Sequence, residues 1–93
     1  MSRFDGRVAL ITGGGSGIGE AIGKLLASRG AKVVLTDIKL EAAERVAREI
    51  VAAGGTASAF QQDTAKAEDH ERAVAFAVTT YGALHYAVNN AGI

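Results

Sequence analysis

The sequence of 93 residues predicts an α/β fold: a doubly wound parallel sheet built in the order β-α-β-α-β-α-β. Three observations carry this. Short, β-branched apolar runs alternate with longer stretches whose apolar residues recur at helical spacing. Each helical stretch closes on glycine. A glycine cluster, TGGGSGIG at residues 12–19, separates the first apolar run from the first helical pattern. Alternation of this kind means a parallel sheet covered by helices on both faces, and right-handed crossovers leave few topologies open.

Taken in order, residues 7–12 read as a short buried strand. Ile18, Ala21, Ile22, Leu25 and Leu26 then recur at i, i+3, i+4, i+7 and i+8, which predicts an amphipathic helix stopped by Gly30. The run AKVVLTD is a second buried strand. Residues 41–53 form a second helix with Ala43, Val46, Ala47 and Ile50 on one face. Its charges are spaced to pair along the helix, Glu41 with Arg45 and Glu44 with Arg48, as a solvated face. TASAFQQ is a weaker third strand. His70, Ala73, Val74, Ala77, Val78 and Tyr81 trace a third helix closed by Gly82, and LHYAVNN is a fourth strand.

Composition narrows the function classes. The length suits one small domain, residues 1–93, of marginal stability. Ten basic and ten acidic residues cancel, which argues against a nucleic-acid or anionic-membrane partner. With no cysteine there is no disulfide framework, thiolate nucleophile or cysteine metal site, and two histidines make no recognisable metal site. The opening MSRFDGRVALITGGG has only a four-residue apolar run before its glycines, too short for a signal peptide or a membrane span. Cytoplasmic location is the expectation.

A turn from strand into helix presents unpaired N–H groups at the positive end of the helix dipole. A phosphate fits there if no side chain blocks it, and glycine allows both the tight turn and the close approach. The strict G-x-G-x-x-G pattern fails, because Gly13 and Gly15 are followed by Ile18 where glycine is required. The G-x-x-x-x-G-K-[ST] pattern also fails, because Gly14 and Gly19 are followed by Glu20 rather than lysine. The pattern present is T-G-x-x-x-G-x-G, as Thr12, Gly13, Gly17 and Gly19. It predicts a seat for a pyrophosphate.

Asp37 closes the second strand, eighteen residues beyond Gly19. An acidic residue there accepts hydrogen bonds from adenosine ribose hydroxyls in dinucleotide-binding folds. Its carboxylate would repel the 2′-phosphate of NADP, and Ser16 stands where a basic residue could have held that phosphate. NAD is therefore expected ahead of NADP. An acid at the end of the third strand, Asp63, can accept from an exocyclic amine; a helix-start role is its alternative.

TGGGSGIG, VVLTD, QQDT and NNAG, in this order and each at a strand's C-terminal end, resemble the short-chain dehydrogenase/reductase family across nearly the whole chain. The resemblance implies a Rossmann-type sheet in the strand order 3-2-1-4-5-6-7 and a nicotinamide dinucleotide. It implies a pyrophosphate and ribose loop of Gly13, Ser16, Gly17, Ile18 and Gly19. Asp37 would hold the adenosine ribose with Ile38 flanking the adenine. Asp63 would meet the adenine amino group beside the Thr64 backbone, and Asn90, Ala91 and Gly92 would line the floor under the ribose. Asn89 would brace neighbouring strands. Two positions depart from the family pattern: His85 stands where relatives often have aspartate, and Lys66 lies near a helix start where an acidic or hydroxyl cap is commoner. Both histidines are expected to be surface or structural residues.

Family members use a serine that orients the substrate oxygen, a tyrosine that donates or takes the proton and a lysine that lowers its pKa, the last two spaced Tyr-x-x-x-Lys. Tyr81 is followed at +4 by His85 and Tyr86 by Asn90, so neither tyrosine fits. The expectation is the N-terminal, cofactor-binding portion of a longer single-domain alcohol/ketone oxidoreductase, with catalytic residues beyond Ile93 and the fourth strand's far edge left open. The full-length enzyme would be a homodimer or homotetramer acting on a small alcohol or carbonyl compound. The alternatives are a non-catalytic dinucleotide-binding module and a methyltransferase that uses S-adenosylmethionine. The three-residue gap between Gly13 and Gly17 and the NNAG ending favour the dehydrogenase over the latter.

Overall fold

The computed structural model describes residues 4–90. The elements run β1 (Val8–Thr12), α1 (Gly17–Ser28), β2 (Lys32–Asp37), α2 (Leu40–Ala52), β3 (Thr56–Gln61), α3 (Ala67–Tyr81) and β4 (Tyr86–Asn89). All four strands are parallel and lie in the order β3-β2-β1-β4. The doubly wound α/β arrangement and the first four places of the expected strand order are both present. Element ends differ from the sequence reading mostly by one or two residues; α3 begins three before His70.

Every residue of β1 is buried, as a central parallel strand covered on both faces requires. Its side chains alternate between two apolar cores. Ile11 packs with Val33 and Leu35 under Ala27 of α1 and Ala43, Val46, Ala47 and Ile50 of α2. Val8, Leu10 and Val34 face Ala73 and Ala77 of α3 on the other side. The α2 residues predicted to form one face are the four that are buried.

The buried face of α1 differs from the expectation. Gly19, Gly23 and Ala27 are the buried positions, Ile22 and Leu26 are half-buried, and Ile18 and Leu25 stand 66% and 53% exposed. Small residues win because α1 lies close to β2. A Cβ built on Gly23 would sit 2.7 Å from Leu35 Cδ2. Apolar spacing tracks side-chain size and not how near the backbone comes.

Beyond α3 the chain crosses to the opposite side of β1, so the strand order reverses at the β1–β4 pair, which stays in register through Thr12 and Asn89. That reversal marks the topological switch point, where ligands bind in open α/β sheets. Among the described residues β4 has a neighbour on one side only, and its Tyr86 is exposed. No described helix is long and apolar enough to cross a membrane.

Candidate functional site

The loop between β1 and α1 lies across the C-terminal end of β2. Gly14 N–H donates to Thr36 O at 2.8 Å, and Gly15 N–H donates to Asp37 Oδ2 at 3.1 Å. The approach is close enough to require glycine's lack of a side chain: a Cβ on Gly15 would meet both Asp37 Oδ2 and Ala42 Cβ at 2.7 Å. Gly13 and Gly17 adopt left-handed φ angles of 65° and 59°, which L side chains avoid. A Cβ on Gly17 would enter open space, so that side of the turn is accessible to a ligand.

Ser16 occupies the N-cap position of α1 but makes no side-chain cap. No acceptor among the described residues meets the N–H groups of Gly17, Ile18 and Gly19. These donors point from the positive end of a twelve-residue helix and are suited to an anion. Gly19 itself lies tightly against the loop. Its Cβ would fall 2.1 Å from Gly13 O and 2.8 Å from Asn90 Nδ2. Asn90 Nδ2 donates to Gly13 O at 3.4 Å from below, and Thr12 Oγ1 donates to Asn89 Oδ1 at 3.1 Å, tying β1 to β4. Asn89 thus has the bracing place expected of it.

Asp37 is half-buried and fixed by two backbone donors, Gly15 N–H on Oδ2 and Lys39 N–H on Oδ1, the latter also at 3.1 Å. A carboxylate has about four acceptor sites, so two stay open to hydroxyl donors. Ile38 follows it, exposed, and lines a cavity of about 660 Å³ together with Phe60, Gln61 and Asp63. Asp63 Oδ1 accepts from Ala65 N–H at 2.9 Å, while the Asp63 N–H donates to Asp69 Oδ2 at 2.9 Å. Asp63 therefore shapes the turn into α3 as well as facing the cavity. Thr64 is exposed on that turn and does not line the cavity. Ala91 and Gly92 lie outside the described residues.

The charges of α2 are paired differently from the helix-internal expectation. Among the described residues neither Glu41–Arg45 nor Glu44–Arg48 forms an ion pair. Glu20, Lys24, Glu49 and Arg45 instead close a ring between α1 and α2. Lys24 Nζ reaches Glu20 at 2.7 Å and Glu49 at 2.6 Å; Arg45 reaches Glu20 at 2.9 Å and Glu49 at 2.8 Å. Hydrogen bonds from Arg45 and then Lys24 pull the Glu20 carboxyl down to about 2. Glu49 is lowered by Lys24 and Arg45, and both cations are raised by Glu20 and Glu49. Arg45 Nη2 also donates to Gly15 O at 3.1 Å.

Gln62 lay outside the sequence reading, and the structure gives His85 and Lys66 their local settings. Gln62, just past β3, is buried with its Oε1 accepting from Thr36 Oγ1 at 2.8 Å and its Nε2 3.2 Å from His70 Nδ1. His85 Nδ1 accepts the Val8 N–H at 2.9 Å, so the histidine supplies an acceptor of the kind an aspartate would offer there. Lys66, at the N-cap of α3, makes no side-chain cap; Asp69 in the first turn binds the preceding loop and pairs with Arg72. The described residues contain no cluster of histidine and acidic side chains that could hold a metal.

A family model described as short chain dehydrogenase matches residues 7–93. The chain belongs to the short-chain dehydrogenase family. It is 58% identical over 92 residues to a cyclohexanol dehydrogenase of Acinetobacter sp. (strain SE19), covering 99% of this chain and 37% of that protein. A metagenomic short-chain oxidoreductase solved in complex with NADP superposes with a TM-score of 0.90 at 40% identity, over 99% of this chain and 42% of that one. A short-chain dehydrogenase/reductase of Burkholderia phymatum in complex with NAD gives a TM-score of 0.88 at 34% identity, over 94% and 31%. This member of the family thus spans well under half the length of these relatives. Its sheet is the Rossmann-like portion of the family fold, and both NAD and NADP complexes occur among its structural neighbours.

Proposed function

We propose that the chain is the dinucleotide-binding portion of an NAD-preferring short-chain dehydrogenase/reductase that interconverts an alcohol and a ketone or aldehyde. One observation carries the reading: the uncapped N–H groups opening α1 stand beside a carboxylate, Asp37, already oriented by the same loop. Diphosphate and ribose are adjacent in a nicotinamide dinucleotide, and these two features are adjacent here.

In this reading Gly13, Ser16, Gly17, Ile18 and Gly19 receive the diphosphate and its flanking ribose. Asp37 accepts from the adenosine ribose hydroxyls and disfavours a 2′-phosphate by charge. Ile38 and Asp63, which line one cavity, enclose the adenine, with Asp63 accepting from its amino group and the Thr64 backbone beside it. Asn90 supports the loop from below, and for Ala91 and Gly92 a place under the ribose is what the family resemblance implies. The bound cofactor supplies hydride transfer; the chain supplies placement. Neither Tyr81 nor Tyr86 is followed by lysine four residues on, so in this reading the proton-transferring tyrosine, with its lysine and serine, belongs to the remaining length of a full family member. Identity to the cyclohexanol dehydrogenase makes a cyclic secondary alcohol the first substrate class to test.

The test is thermal unfolding with ligand. A ligand at 100 times its Kd stabilises by about 2.7 kcal/mol. NADH is expected to raise the melting temperature and S-adenosylmethionine to leave it unchanged. A shift with S-adenosylmethionine alone would end the dehydrogenase reading.

A further inference from the structure

Glu20 poses an electrostatic problem for the proposed site. It lies in the first turn of α1, on the helix whose N-terminal donors would receive a dianionic diphosphate. A carboxylate there stabilises the helix by complementing its dipole, but it competes with a bound anion for the same field. The structure answers this with the closed ring in which Arg45 and Lys24 occupy both Glu20 oxygens. Arg45 also holds Gly15 O at 3.1 Å, while Asp37 holds the N–H of the same residue. The two ends of Gly15 are therefore anchored by residues of opposite charge from β2 and α2. Ala42, three residues before Arg45 on α2, packs against Gly15 at the distance that excludes a Cβ.

We propose that Arg45 is a positioning residue of the dinucleotide seat: it clamps the Gly15 carbonyl to α2 and, with Lys24, neutralises Glu20, leaving the α1 donors unopposed for the diphosphate. The proposal rests on the dinucleotide reading and adds to it a residue that would touch no part of the cofactor. A loop held in its binding shape before the ligand arrives loses less freedom on binding. The guanidinium suits both tasks, because its planar fork can serve a carbonyl and two carboxylates at once.

The experiment is an NADH titration, read by nucleotide fluorescence, of the unaltered chain and of Arg45→Leu, Arg45→Lys, Glu20→Gln and the double variant Glu20→Gln/Arg45→Leu. Arg45 is exposed, so its replacement leaves the core intact. Arg45→Leu should weaken NADH binding roughly fivefold or more, from one lost charged hydrogen bond and an anion near the helix end that keeps only Lys24 as its partner. Arg45→Lys should recover part of the loss. Glu20→Gln should bind at least as tightly as the unaltered chain, and the double variant should bind more tightly than Arg45→Leu alone. Hydrogen exchange at the Gly15 amide, measured without ligand, should speed up in Arg45→Leu and stay slow in Glu20→Gln. Equal weakening by Arg45→Leu and Glu20→Gln would mean that the ring only ties α1 to α2, and would overturn the proposal; so would unchanged affinity in Arg45→Leu. No NADH binding by the unaltered chain would remove the dinucleotide reading and this proposal with it. Loss confined to the variants distinguishes the two.

Discussion

Asp37 Oδ2 accepts the Gly15 N–H at 3.1 Å, so the glycine loop and the end of β2 hold one another in place. The carboxylate is aimed by the loop, and the loop is seated by the carboxylate. The acid proposed to bind the ribose and the turn proposed to receive the diphosphate are in this way parts of a single local structure.

Replacing Asp37 should therefore change both selectivity and loop order. Asp37→Ala is expected to weaken NADH about tenfold, the loss of a hydrogen bond to a charged acceptor, while NADPH gains relative to it because the repelling charge is gone. Parallel titrations with the two reduced cofactors measure this. An unchanged NADH/NADPH ratio would remove Asp37 from the ribose site.

Gly19→Ala should damage the loop itself. The added methyl would lie 2.1 Å from Gly13 O, and that neighbour is backbone, which cannot swing aside. Overpacking of this kind costs about 1–3 kcal/mol. Urea unfolding should show the loss, and NADH should no longer raise the melting temperature. A variant as stable as the original would mean that the loop relaxes freely.

The charge ring should leave a signature in acid. The Glu20 carboxyl is lowered to about 2 from an ordinary 4.5, so its contribution is fully present above pH 4.5 and fades as pH falls toward 2. Solvent screening keeps the effect to about 1 kcal/mol or less. The stability difference between pH 6 and pH 3 should be smaller in Glu20→Gln than in the unaltered chain. Identical pH dependence in the two would show that the pairs contribute nothing measurable.

His85 should be replaceable by aspartate, another side chain that offers an acceptor. Its Nδ1 takes the Val8 N–H, which places the proton on Nε2. His85→Asp keeps an acceptor and should leave stability within about 0.5 kcal/mol, whereas His85→Ala should lose about 1 kcal/mol. Histidine nitrogen shifts in NMR would report the tautomer directly. Equal losses in both variants would contradict the acceptor role.

Much of this was legible in the sequence, because the decisive signals were local. Alternating periods marked the seven elements, and TGGGSGIG followed by Asp37 marked the candidate site, whose loop and strand end the structure brings into contact. The errors arose where partners come from another element. Arg45 looked paired with Glu41, but Glu49 on the next turn of the same helix is an equally spaced acceptor that spacing cannot rank, and the packing of α1 on α2 added Glu20. Ile18 and Leu25 looked buried because they are large, yet the buried positions of α1 are Gly19, Gly23 and Ala27. Gln62 and Thr36 satisfy each other in the interior, a pairing across 26 positions that no local pattern encodes.

The central claim is that the N–H groups opening α1 receive the diphosphate of a dinucleotide beside Asp37. Amide NMR shifts of the chain titrated with NADH test it most directly. The account predicts saturable shifts that are largest at Gly17, Ile18 and Gly19, with smaller ones around Asp37. Shifts centred elsewhere, such as the groove between the C-terminal ends of α1 and α2 near Ser28 and Gly54, or none at saturating concentration, would contradict it.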